Sequence, residues 1–261
     1  MTNLFFQESG SGQPVILLHG FPFHHGIWGK FAQRLSASCH VYTVDLPGFG
    51  KSPILKTPFT LDQIGESIVT WVSGMNLRKP VLIGHSLGGY VALAAIKKDP
   101  GLFSSLGLFH STAYADTEEK KQSRNKVIEF IEKNGVAAFT SNFIAPLFVD
   151  PNHPAIPKVK SVAMSATEEA VKNYTIAMRD RTERTEVLRS YPAPVLFLAG
   201  EKDPGISVES IKKQAALCVR PAVRIVPNIA HMGMFENETE CLNVIQTFIQ
   251  TRTATHASGT V

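Results

Sequence analysis

From Val81 to Ile83 the chain is apolar. It then runs through Gly84-His85-Ser86-Leu87-Gly88, which fits G-x-S-x-G, and from Tyr90 to Lys98 apolar residues recur at helical spacing. A buried strand, a tight turn and a helix in so few residues leave little choice of local structure. Glycines on both sides remove side chains that would collide at the turn, so the hydroxyl of Ser86 projects clear of the strand end. A serine there also suits plain helix capping, and the motif alone does not separate the two roles.

The same alternation recurs along the chain. Apolar runs at Val15 to Leu18, His40 to Val44, Leu106 to Phe109, Val195 to Leu198 and Val223 to Val226 read as strands. Trp28 to Leu35, Leu61 to Met75, Val208 to Leu217 and Glu238 to Gln250 read as helices between or after them. The pattern predicts an α/β fold, a mostly parallel sheet with helices on both faces. In such sheets ligands bind beyond the carboxyl ends of the strands. A hydrophobic content of 44% in 261 residues is ample for one such core. From Ser111 to Arg189 the alternation stops and only helical patterns appear: Glu118 to Lys133 closed by Gly135, Val136 to Phe148, and Thr167 to Arg179. The expected organisation is therefore core at 1–110, helical cap at 111–190 and core again at 191–252. Residues 253–261, rich in Thr, Ser, Gly and Ala, are expected to be a disordered tail.

A serine hydroxyl needs a base to take its proton and a carboxylate to orient that base. After the strand Val195 to Leu198 comes Gly200-Glu201-Lys202-Asp203, and after Val223 to Val226 comes Ala230-His231. Asp203 and His231 thus each follow a strand, in the chain order Ser86, Asp203, His231. Glu201 is a nearby substitute for the acid. His110 follows a strand but falls in the wrong order, and His85 lies inside the turn itself. The anion formed on attack needs backbone N–H donors. Leu87 supplies one, and Phe21 in His19-Gly20-Phe21-Pro22 supplies the other. No metal site is expected from His19, His24 and His25, which have no carboxylate beside them in sequence. Gly48-Phe49-Gly50-Lys51-Ser52 imitates a phosphate loop, but its first glycine would fall at Asp45.

These motifs, with Asp45-Leu46-Pro47-Gly48-Phe49-Gly50-Lys51-Ser52 and Glu236, give a chain that resembles the α/β-hydrolase superfamily from Pro14 to Gln250, in its serine-nucleophile branch of carboxylesterases and enol-lactonases. The resemblance implies Ser86 as nucleophile, His231 as base, Asp203 as acid and the Phe21 and Leu87 amides as oxyanion hole. It implies a helical cap inserted after the sixth strand, here the strand ending near Phe109. It also implies an acyl-enzyme mechanism on a small or medium ester or lactone, with no cofactor. Phe21-Pro22-Phe23 and Met232 depart from the carbon–carbon hydrolases, and Leu87 departs from the perhydrolases. A ligand sensor with little turnover is the alternative from another class. Tyr114, Phe139, Phe143 and Phe148 are the candidate pocket walls. The net charge of +4 is scattered, which gives no reason to expect nucleic acid or a membrane surface as partner, and no secretion signal is visible. Three separated cysteines read as free thiols in a reducing compartment, the cytoplasm. Oligomeric state is not legible.

Overall fold

The computed structural model describes residues 3–257, with side chains through 251. Its strands are β1 (Phe6–Ser9), β2 (Pro14–Leu18), β3 (His40–Val44), β4 (Val81–His85), β5 (Ser105–Phe109), β6 (Val195–Gly200) and β7 (Pro221–Val226). They form one sheet in the order β1-β3-β2-β4-β5-β6-β7. β1 runs antiparallel to β3 and all other neighbours are parallel. Successive residues of a strand face opposite layers, and the core divides accordingly. Val15, Leu17, Val81, Ile83, Leu196 and Leu198 pack in one layer with Phe31 and Ile245. Ile16, Leu18, Leu82, Leu106, Leu108 and Phe197 pack in the other with Ile64, Ile68 and Val91.

The helices are α1 (Gly29–Leu35), α2 (Leu61–Gly74), α3 (Leu87–Lys98), α4 (Glu118–Phe143), α5 (Ile156–Met164), α6 (Glu168–Arg179), α7 (Thr185–Ser190), α8 (Val208–Ala215), α9 (Gly233–Glu236) and α10 (Glu238–Ala257). Thr60 starts α2 with a capping box, its side chain accepting from Gln63 N while Gln63 reaches back to the Thr60 N–H. Among the described residues no helix is long and apolar enough to cross a membrane.

The region between β5 and β6 holds α4 to α7, without a strand. Gly135 interrupts α4 with φ 78°, at the residue expected to close the first cap helix. The cap is anchored into both core layers: Ile131, Phe139, Tyr174 and Met178 join one, and Ile144, Phe148, Ile156 and Val159 the other. The strand before it is the fifth in chain order among the described residues, not the sixth. It is β5, with β1 to β4 before it in the chain. β1 itself escapes the sequence pattern because Phe6-Gln7-Glu8-Ser9 is an edge strand whose last three residues are exposed. α10 continues to Ala257, so the helix runs into the expected tail of 253–261. Residues 258–261 lie outside those described.

Candidate active site

The parallel register brings five strand ends to one edge. Leu18 lies beside Gly84, Gly84 beside Leu108 and His85 beside Phe109. His110 N donates to Leu198 O at 2.7 Å, and Glu201 N to Val226 O at 2.9 Å. The residues that follow β2, β4, β5, β6 and β7, which include Phe21, Ser86, His110, Asp203 and His231, therefore gather at that edge.

Ser86 sits between β4 and α3 with φ 50° and ψ −114°. A non-glycine residue held there stores about 1–3 kcal/mol of backbone strain, which is found where surrounding structure forces it. The surroundings do so here. A Cβ on Gly84 would lie 2.2 Å from Gly88 C, and one on Gly88 would lie 2.4 Å from Leu18 O. Both glycines are required by the close approach of backbone. Ser86 makes no capping hydrogen bond, which removes the bland role that its sequence position allowed. Its N–H donates to Phe109 O at 3.0 Å, tying the turn to β5.

Asp203 is buried, and both its oxygens are fully engaged. Oδ1 accepts from Gly205 N at 2.9 Å and Ile206 N at 3.1 Å. Oδ2 accepts from His231 Nδ1 at 2.8 Å and His110 Nδ1 at 2.9 Å. Burial alone would raise its pKa, but the positive field of His231 and the hydrogen bonds from both imidazoles outweigh it and hold the carboxyl well below the usual carboxylate range. With Nδ1–H directed at Asp203, the Nε2 of His231 carries the lone pair, as a base requires. Glu201, the alternative acid, is exposed, and among the described residues its carboxylate takes a long contact of 3.4 Å from Asn228 N.

The loop carrying His231 is fastened on three sides. Glu236 Oε2 accepts from Ala230 N at 3.0 Å and Met232 N at 3.1 Å, while its Oε1 accepts from Val149 N of the cap at 2.8 Å. His231 N donates to Leu147 O at 3.0 Å. His85 Nε2–H donates to His231 O at 2.9 Å. The base is thus positioned jointly by the core and the cap.

Ser86 and His231 line one cavity of about 360 Å³, at the smaller end of the range for small-molecule sites. Ser86 Oγ and His231 Nε2 are not hydrogen-bonded in this structure; such bonds are often long until substrate is bound. Phe21 lines the same cavity. Leu87 is the first residue of α3, where a helix leaves its N–H groups without intrahelical acceptors. Of the four cap aromatics expected in the wall, Phe143 is there. Phe139 is buried against Phe21 and Phe143 behind it. Phe148 stacks on His153 and meets Phe235 at a tilt, and neither it nor Tyr114 is in the lining. Apolar lining comes instead from Phe23, Tyr90, Val127, Leu147, Met178 and Ile206, and polar lining from Asp116, Lys120, Ser123 and Arg124.

The loop after β2 is pinned by histidines. His19 donates from Nδ1 to Gly20 O at 2.9 Å and accepts Leu46 N at Nε2, 3.0 Å. Among the described residues two groups bring ligand atoms within 4.8 Å of one another: His24, His25 and Asp45, and the His110, Asp203, His231 set. Asp45 reaches the histidines across the sheet edge, an approach invisible in sequence. Its Oδ1 accepts from His25 N at 2.6 Å and Nδ1 at 2.8 Å, its Oδ2 from Lys51 N at 2.9 Å, and His24 Nδ1 accepts from Gly26 N at 3.1 Å. These atoms are engaged in holding the loops that follow β2 and β3.

Three wholly buried imidazoles give the fold an acid-sensitive term. Burial lowers His19 to about 4, and burial also holds His85 well below the usual imidazole range, with the fields of His231 and His110 adding to it. His110 is lowered by burial, with Asp203 opposing. Below pH 6.5 the unfolded chain takes up protons that these native imidazoles refuse, so stability falls as pH drops, by about 1.4 kcal/mol per pH unit for each fully shifted group. Asp203 acts with the same sign but only below about pH 4, where the unfolded carboxylate protonates. Between pH 7 and 5.5 the Tm should fall by about 5–10 °C in differential scanning calorimetry. A Tm that stays level over that interval contradicts the neutral, buried state of these histidines.

Comparison with known proteins agrees with this fold. The model of the alpha/beta hydrolase family matches residues 15–244. A pimeloyl-[acyl-carrier protein] methyl ester esterase of Methylococcus capsulatus is 38% identical over 109 residues, 42% of this chain and 41% of that protein, so the chain spans under half of that relative's length. A 2-hydroxy-6-oxo-6-(2'-aminophenyl)hexa-2,4-dienoic acid hydrolase of Metapseudomonas resinovorans is 26% identical over 259 residues, covering 95% of this chain and 87% of that one. Among solved structures, a thermophilic esterase from Thermogutta terrifontis, with malate bound, superposes with a TM-score of 0.89 at 28% identity, over 95% of this chain and 93% of that one.

Proposed function

The chain belongs to the alpha/beta hydrolase family, and from that premise we propose that it is a serine hydrolase cleaving a small or medium carboxylic ester or lactone through an acyl-enzyme. One observation carries the reading. Ser86 stands at a strained turn in the wall of the same cavity as His231, whose other nitrogen is bound to a buried, ionised Asp203. His231 Nε2 takes the Ser86 proton as Oγ attacks the carbonyl carbon, and the carbonyl oxygen becomes an anion stabilised by the Phe21 and Leu87 N–H groups. The tetrahedral adduct collapses, the C–O bond to the leaving alcohol breaks, and His231 returns the proton to that alcohol. Water then attacks the acyl-enzyme, with His231 as base, and releases the acid and free Ser86. Asp203 keeps Nδ1–H in place through both halves. In this reading 111–190 is the cap that shapes the substrate space, no cofactor takes part, and the unpaired cysteines favour a reducing compartment, the cytoplasm.

A second reading, carbon–carbon bond hydrolysis, is favoured by the relative that matches nearly the whole chain. Met232 and the loop Phe21-Pro22-Phe23 weigh against it. Steady-state assays on p-nitrophenyl acetate and butyrate, beside the dienoic acid named for that relative, separate the two. Ester turnover at the higher kcat/KM is the expected result, and turnover of the dienoic acid alone rejects the ester reading.

A further inference from the structure

The cavity that holds Ser86 and His231 is also lined by Asp116, Lys120 and Arg124, at and just before the first turns of α4. Asp116 is buried, and its carboxylate is shared between two arginines: Arg124 Nε at 2.7 Å from Oδ2 and Arg181 Nη1 at 2.7 Å from Oδ1. Arg181 is held at Nε and Nη1 and does not line this cavity. It donates to Tyr114 O and Met178 O and lies over the Tyr90 ring, 4.1 Å from its centre. Arg124 does line it, and among the described residues only its Nε has an acceptor, so its two terminal nitrogens keep four N–H donors. The Lys120 ammonium has one long contact, 3.5 Å from Gly205 O.

Two arginines share the Asp116 carboxylate and Lys120 stands in the same lining as Arg124, so the wall of a cavity that is otherwise mainly apolar carries surplus positive charge. A neutral ligand filling this space would strip water from the Arg124 fork without replacing its acceptors, which is costly. A carboxylate would accept two parallel N–H bonds from that fork. The N-terminal end of α4 adds a favourable dipole in its first turn. Asp116, by gripping Nε, fixes the guanidinium so that its terminal edge remains for the ligand. From this we infer that Lys120 and Arg124 form an anion subsite, and that the substrate is an ester or lactone bearing a free carboxylate. The inference rests on the serine-hydrolase reading above and names the substrate class of that site.

The test compares kcat/KM within two isosteric pairs at pH 7.5 in a pH-stat. Monoethyl adipate against ethyl 5-carbamoylpentanoate puts the charge on the acyl side. 6-Acetoxyhexanoate against 6-acetoxyhexanamide puts it on the alcohol side. The wild type should prefer the anion about tenfold or more in at least one pair, the worth of a charged hydrogen-bonded contact. The pair that responds locates the subsite. In Arg124→Gln that ratio should fall to within about twofold of unity. Lys120→Glu, at an exposed position that leaves the Asp116 pairs intact, should lower it at least about threefold and keeps the test decisive if Arg124→Gln does not fold. A wild-type ratio of one or less in both pairs, or a preference that neither substitution lowers, overturns the inference. Ser86-dependent hydrolysis of the neutral amide esters in the same assays leaves the serine-hydrolase reading standing in that event, and its absence rejects that reading instead.

Discussion

Ser86→Ala should lower kcat on p-nitrophenyl butyrate by roughly a million-fold, while the protein stays folded and keeps its cavity. The size of the loss follows from how much of the edge is built around one oxygen. The backbone at Ser86 is strained, Gly84 and Gly88 are excluded from any larger side chain, and His231 is fastened by Glu236, Leu147 and His85. Without Oγ those devices orient nothing that can attack. What persists is the modest acceleration over water that the N–H donors and binding supply. Steady-state assays with the Tm as control read this directly. A loss of only a few-fold would mean that another group attacks, or that the observed hydrolysis occurs elsewhere.

Asp203→Asn should cost about 10⁴ in kcat, and the hydrogen-bond geometry says why. Asp203 has four donors directed at it, two backbone amides on Oδ1 and two imidazoles on Oδ2. An asparagine offers one accepting oxygen and one donating NH₂. The backbone N–H groups of Gly205 and Ile206 cannot change sign, so the amide oxygen stays with them and the NH₂ faces both imidazoles. His110 and His231 must then each carry their proton on Nε2 and accept at Nδ1. That is the wrong tautomer for His231, whose Nε2 then has no lone pair for the Ser86 proton. The variant retains the shape of the site, so substrate KM should change far less than kcat. A kcat within tenfold of wild type would show that Asp203 does not set the tautomer of the base.

His110 marks a limit of sequence reasoning. The order Ser86, Asp203, His231 was legible because each residue follows its own strand, and the structure gathers all three at one sheet edge. The same rule set His110 aside as a base. It has a different place, sharing Oδ2 of Asp203 with His231, and only the register of β5 against β6 reveals it. The cap was legible as helices but not as a wall. Helical spacing in Val136 to Phe148 does not say which aromatic faces the cavity, and packing sends Phe143 there while Phe139 backs it and Phe148 turns to His153. Lys120 and Arg124 lie in the charged run Glu118 to Lys133, which in sequence looks like a solvated helix face. The burial of Asp116 between two arginines gives that face its second role. β1, short and polar at the sheet edge, had no pattern to read.

The proposed mechanism requires that Ser86 is acylated and released in each turnover. Its most direct test is peptide mapping by mass spectrometry after reaction with a fluorophosphonate probe, joined to a steady-state assay of the unlabelled enzyme. The expected result is one equivalent of label on the peptide containing Ser86, loss of activity in proportion to labelling, and many turnovers per site on an ester when the probe is absent. Label on a different residue would contradict the assignment of the nucleophile. Stoichiometric labelling of Ser86 with no repeated turnover on any ester or lactone would contradict the enzyme and identify a ligand sensor built on the hydrolase fold.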